Sequence, residues 1–173
     1  MKQYVFPYRR EYSTLIGEIH RPIATMYIEA ENKAWRGFTL YVDSGADITL
    51  LPQSACKGLG YKPTTGKLGH VGGITKGKIK VYVHELNAKI GEETFKARIA
   101  FAQTENIPPL LGRTDIFDHF KVCYNNKQKQ TTFILIKPKE TIKANKDPLW
   151  RGLQNPPDWG VRTDSSRLEE EPL

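Results

Sequence analysis

The sequence predicts an all-β fold, a small closed barrel-like sheet with one short helix. Three observations predict it. Short runs rich in β-branched and aromatic residues recur along the chain, as in Ile23–Ala30 and Trp35–Val42. Lys78–His84 and Thr94–Phe101 alternate polar with apolar residues, the pattern of a half-buried strand. Only Gln53–Leu59 and Arg113–His119 leave room for a turn or two of helix.

In chain order, the first twenty residues are aromatic and basic without clear periodicity, and residues 1–20 are expected to form an N-terminal extension. Ile23–Ala30 and Trp35–Val42 flank the polar turn Glu31-Asn32-Lys33-Ala34 and read as a hairpin. Ile48–Leu51 is a short apolar strand closed by Pro52, and Gln53–Leu59 is a short helix stopped by Gly60. Gly69, Gly72, Gly73 and Gly77 punctuate the stretch before the Lys78–His84 strand. After Pro108-Pro109 come Leu110-Leu111-Gly112, a short helix over Arg113–His119, and a last hairpin turning at Asn125-Asn126. The folded domain is therefore expected over residues 21–137. Residues 138–173 hold five of the eleven prolines, two of the three tryptophans and the acidic run Glu169-Glu170-Glu171, and read as a tail or linker.

At 173 residues and 19.7 kDa, the chain suits one domain plus a tail. No window approaches the ~18 consecutive apolar residues of a membrane span. The N-terminus lacks the apolar stretch of a secretory signal, so membrane and exported readings are disfavoured. Cys56 and Cys123 stand far apart without a CxxC, which excludes a disulfide scaffold or a cysteine zinc site and suits a cytoplasmic protein. His20, His70, His84 and His119 show no metal-ligand spacing. The net charge is +7, and residues 1–137 carry more than all of it, at +8. No zinc finger, RNA-recognition signature or phosphate loop accompanies that charge. A lysine-decorated surface explains it, and nucleic acid is not an expected partner. A nucleic-acid-associated domain rests on charge alone and predicts steeply salt-dependent binding.

The stretch that carries chemistry is Tyr41-Val42-Asp43-Ser44-Gly45-Ala46-Asp47-Ile48-Thr49-Leu50-Leu51-Pro52. Asp43 sits where one apolar strand ends and before another begins, so its carboxylate is partly buried and needs donors. Ser44 supplies a hydroxyl, and Gly45 lets the backbone turn and bring amides close. A bare Asp-Ser-Gly triplet is also a common turn in which the aspartate caps its own loop.

The wider pattern resembles the retropepsin-like aspartic protease family. Val42-Asp43-Ser44-Gly45-Ala46 matches its Asp-Thr/Ser-Gly-Ala loop, and Leu110-Leu111-Gly112-Arg113-Thr114-Asp115 matches its later apolar-apolar-Gly segment. Gly69-His70-Val71-Gly72-Gly73-Ile74 lies between them, where the family places its flap hairpin. The match covers residues 20–136 and leaves out both termini. Ser44 stands where threonine is commoner, and Thr114 separates Arg113 from Asp115 where many relatives have Arg-Asp. Neither terminus looks like the dimer-closing termini of viral members.

The resemblance implies an aspartic endopeptidase acting on polypeptide substrate, with no cofactor and no metal. The chain has one Asp-Ser-Gly-Ala loop, so a homodimer must pair two Asp43 carboxyls, which share a proton and activate a water. Asp43 is the implied acid/base. Ser44, Gly45 and Ala46 shape the loop, and Asp47 pairs with Arg113 to support it. His70, Val71, Gly72, Gly73 and Ile74 are the implied substrate-binding flap. Asp115 and Asp118 are expected as solvent-facing charges. The alternative reading is a non-catalytic dimerisation or binding module with the same fold.

Overall fold

Strands make up most of the described residues, and their pairing runs in a closed circuit. The structure is a computed structural model and describes residues 1–72 and 77–136. These belong to one unit spanning Met1–Lys137. The strands are β1 (Gln3–Pro7), β2 (Arg9–Ser13), β3 (Gly17–Arg21), β4 (Ile23–Glu29), β5 (Trp35–Val42), β6 (Thr49–Leu51), β7 (Lys67–Gly72), β8 (Lys78–Ile90), β9 (Glu93–Ala102), β10 (Leu110–Leu111), β11 (Phe120–Asn125) and β12 (Gln130–Leu135). Among the described residues the single α-helix is α1 (Gln53–Gly58), followed by a 3-10 turn at Pro63–Thr65. The Pro/Trp-containing segment 138–173 lies outside the described residues.

The main sheet has the order β4-β5-β10-β6-β9-β8-β7. Tyr27 and Ile28 of β4 also pair with Lys89 and Ala88 of β8, which joins the two sides of the ladder. Alternation drives this closure. Along β4, Ala24, Met26 and Ile28 are fully buried. Along β9, Phe95, Ala97, Ile99 and Phe101 face the main core, which also holds Leu40, Leu111, Phe120 and Phe133. Ala100 and Ala102 face the other way, joining Leu50 and Val81 in a second apolar cluster against Ile79, Ile107 and Leu110.

The first twenty residues, where no periodicity was legible, fold with this unit rather than extending from it. β1 pairs with β12 over five residues and completes a three-stranded sheet, β1-β12-β11. Tyr4 and Phe6 alternate inward along it, and Phe6 meets Phe133 edge-on at 5.6 Å between ring centres. Aromatic content, not a clean apolar period, gives this strand its inner face. β2 and β3 pair with each other as a separate hairpin.

The expected helix over Arg113–His119 is instead a run of turns. Asp115 takes φ +68°, which interrupts helical geometry. Its carboxylate accepts hydrogen bonds from the backbone N–H, Nε and guanidinium NH2 of Arg98 at 2.8, 2.9 and 2.8 Å. That capture also corrects the expectation of a solvent-facing Asp115. Its side chain is only 20% exposed, and the hydrogen bonds from Arg98 lower its pKa.

Candidate active site

Asp43 is set by the strand before it and by a segment that follows about seventy residues later. β10 lies between β5, to which it is parallel, and β6, to which it is antiparallel. Leu111 pairs with Val42, and the Asp43 N–H donates to the Leu111 carbonyl at 3.1 Å. The loop then closes on itself. The Gly45 N–H donates to Asp43 Oδ1 at 2.8 Å, and the Ala46 N–H to the Asp43 carbonyl at 3.3 Å. Asp43 is half-buried, Ser44 is exposed, and among the described residues no cation pairs with the Asp43 carboxylate.

The far side of the loop is stitched to the chain after β10. Arg113 and Thr114 N–H groups donate to the carbonyls of Ala46 and Asp47, each at 2.9 Å. The Arg113 guanidinium bonds the Asp47 carboxylate, bringing together the pair the sequence singled out. Asp47 is 83% exposed and Arg113 53%, so this contact orders the loop rather than contributing much stability. Gly112 crosses the Ile48 backbone, and its N–H donates to the buried Thr49 hydroxyl at 3.3 Å.

Above the loop, β7 and β8 form an antiparallel hairpin in which His70 faces Lys80, Val71 faces Ile79 and Gly72 faces Lys78. His70, Val71 and Gly72 border a groove of about 400 Å³ whose opposite side is Gly45, Ala46, Asp47 and Ile48. The remaining lining, Leu50, Ile79, Ile107, Pro108 and Leu110, is apolar. Gly73 and Ile74, the other two flap positions, lie outside the described residues. Among the described residues, no group of three or more His, Cys, Asp or Glu side chains is arranged to hold a metal ion. Nor is any helix there long and apolar enough to cross a membrane.

Two neighbours of the site were not legible in the sequence. A second cavity of about 400 Å³ on the Asp43 side is lined by Glu11, Arg21, Pro22, Tyr41 and Asp43. There Glu11 accepts a 2.6 Å hydrogen bond from the Tyr41 hydroxyl, which lowers the Glu11 pKa and raises that of Tyr41. Tyr124 of β11 stands beside the loop. Burial raises its phenol and the Asp43 charge raises it further, while the Ser44 hydroxyl works the other way. Both contacts join residues thirty or more positions apart, and no local pattern announces them.

The fold is that of a retropepsin-like aspartic protease: a closed all-β ladder, an Asp-Ser-Gly-Ala loop, and a flap hairpin over an apolar groove. Among solved structures, the chain is similar to a retropepsin-like aspartic protease from Rickettsia conorii. That likeness has a TM-score of 0.50 at 16% identity and covers 76% of this chain and 92% of the other. In sequence it is 29% identical over 92 residues to DNA damage-inducible protein 1 of Yarrowia lipolytica, a match spanning 52% of this chain. The aligned part is 23% of that relative's length, so the chain corresponds to under a quarter of it. No protein-family model matches the chain.

Proposed function

We propose that the chain is an aspartic endopeptidase that works as a homodimer on polypeptide substrates. The observation that carries this reading is the half-buried Asp43 carboxylate, fixed by the Gly45 amide next to the groove and paired with no cation among the described residues. Leaving a charge in such a place is costly, and proteins keep such groups where they do chemistry.

One chain supplies one such carboxyl, so the reaction needs Asp43 of the partner subunit across a two-fold axis. Two carboxyls within hydrogen-bonding range share a single proton. The ionised member takes a proton from a water lying between them, and the water oxygen attacks the scissile carbonyl carbon. The protonated member gives its proton to the carbonyl oxygen. Collapse of the resulting gem-diol breaks the C–N bond, with a proton passing to the departing amine. Ser44 and Gly45 hold the paired loops, and Arg113 braces them through Asp47. The flap hairpin, which brings His70, Val71 and Gly72 to the groove, closes over substrate and excludes water. A reducing cytosol suits the chain: Cys56 and Cys123 are free thiols, and burial pushes Cys56 up to about 11.

The test is digestion of a peptide library by the chain and by its Asp43→Asn variant, with and without a pepstatin-type inhibitor. Inhibitable cleavage that falls at least about 10³-fold in the variant is expected. Undiminished cleavage by the variant overturns the reading. No cleavage by either protein favours a binding module of the same fold.

A further inference from the structure

We propose that the β2–β3 hairpin is the arm by which one copy of this chain grips a second copy. The inference rests on the homodimeric reading above and adds to it the surface that joins the two subunits. Among the described residues, β2 and β3 pair only with each other, whereas every other strand belongs to the three-stranded or the seven-stranded sheet. A lone two-stranded hairpin is marginal in water, so one that stands apart needs something to pack on.

The tip is apolar and open. Tyr12, Leu15 and Ile16 are 81%, 89% and 71% exposed, and the turn Ser13-Thr14-Leu15-Ile16-Gly17 carries no charge. Large apolar side chains clustered on a projecting turn and rimmed by charge mark a contact surface. The root, by contrast, is fixed. Glu11 receives Arg9 Nε at 2.7 Å, Arg21 Nε at 2.9 Å and the Tyr41 hydroxyl, and the Arg9 guanidinium lies 4.7 Å from the Tyr41 ring centre. Tyr41 belongs to β5, the strand that delivers Asp43, so the arm and the catalytic loop share one anchor.

Position then selects the occupant. Glu11 and Arg21 line the same cavity as Asp43, so a two-fold axis that brings two Asp43 carboxyls together passes beside the root of the hairpin. A two-fold axis there brings both hairpins to the same junction, each laying its tip on the other chain. Charge permits it. The chain carries +7, which works against self-association, but the hairpin's glutamates are all taken: Glu11 by Arg9 and Arg21, and Glu18 by Arg10 at 2.8 Å. The arm therefore presents apolar surface with its own charges largely neutralised.

Sedimentation of the full chain and of a Leu15→Asp/Ile16→Asp double variant tests this. The variant is expected to raise the dimer dissociation constant at least about tenfold, with cleavage recovering at higher protein concentration. An unchanged constant with intact peptidase activity overturns the arm and leaves the protease reading standing. A parent chain that stays monomeric at every concentration overturns both. Should the double variant fail to fold, a photoreactive benzoylphenylalanine replacing Leu15 decides the matter. A crosslinked product of twice the chain mass supports the arm. A dimer that yields no such product, or a crosslink only to an added unfolded polypeptide, overturns it.

Discussion

Gly112 crosses the backbone of Ile48 with no space for a side chain between them. A Cβ on Gly112 would stand 2.5 Å from the Ile48 carbonyl oxygen and 2.8 Å from its nitrogen, inside any permitted contact. Both neighbours are backbone, so nothing can rotate away. Gly112→Ala should therefore destabilise the fold by about 3 kcal/mol, the upper end of overpacking costs, since the main chain has no low-energy escape. Chemical denaturation checks it, and a cost under 1 kcal/mol would show that the crossing is looser than described.

Asp47→Asn separates support of the site from support of the fold. The Asp47–Arg113 pair is largely solvent-exposed, so its loss should cost less than about 1 kcal/mol of stability. The loop it braces borders the groove, and cleavage should fall at least about tenfold, in kcat more than in KM. Steady-state kinetics beside a melting curve reads both. Equal losses in the two would mean that the pair is merely structural.

The Arg98–Asp115 pair predicts a pH signature in stability. Arg98 holds the folded Asp115 carboxyl below its ordinary value of 3.8. A lowered carboxylate contributes stability above the unfolded pKa and loses it as pH falls through the folded one. The stability advantage of the parent over Asp115→Asn should thus be constant above about pH 5 and shrink progressively below about pH 4. Paired urea titrations across that range measure it; a difference that grows towards acid would contradict the assignment.

Removing residues 1–7 should unfold far more than an appendage. It deletes a five-residue ladder on β12 and uncovers Phe133, which is fully buried in the structure. The loss of Phe6 and Tyr4 packing alone should cost at least about 3 kcal/mol. Calorimetry of the truncated chain checks it, and an unchanged melting temperature would make β1 dispensable.

The limits of sequence reading follow from range. β4 and β5 were legible to within a residue because alternation and the Glu31–Ala34 turn are local signals. The Asp43 loop and the Leu110-Leu111-Gly112 segment were legible as motifs, and the structure brings them together through β10. β8, in contrast, runs on to Ile90, six residues past the clean alternation that ends at His84, because β9 pairs with it from Val81 to Ile90. The turn at Asp115 depends on Arg98, seventeen positions away on another strand. The network at Glu11 depends on Tyr41, thirty positions away. Side chains that act across strands leave no periodic trace, so propensity alone favours a helix at 113–119 and sees no order in 1–20.

β10 is only two residues long, yet the loop bearing Asp43 leans on it and on the stitches just beyond it. During synthesis the acid leaves the ribosome long before Leu111 and Arg113 do. Until they emerge, β5 has no parallel neighbour and the loop no brace. A half-made chain consequently carries Asp43 on an unsupported loop, and the acid takes its final place only after the segment that braces it has been made.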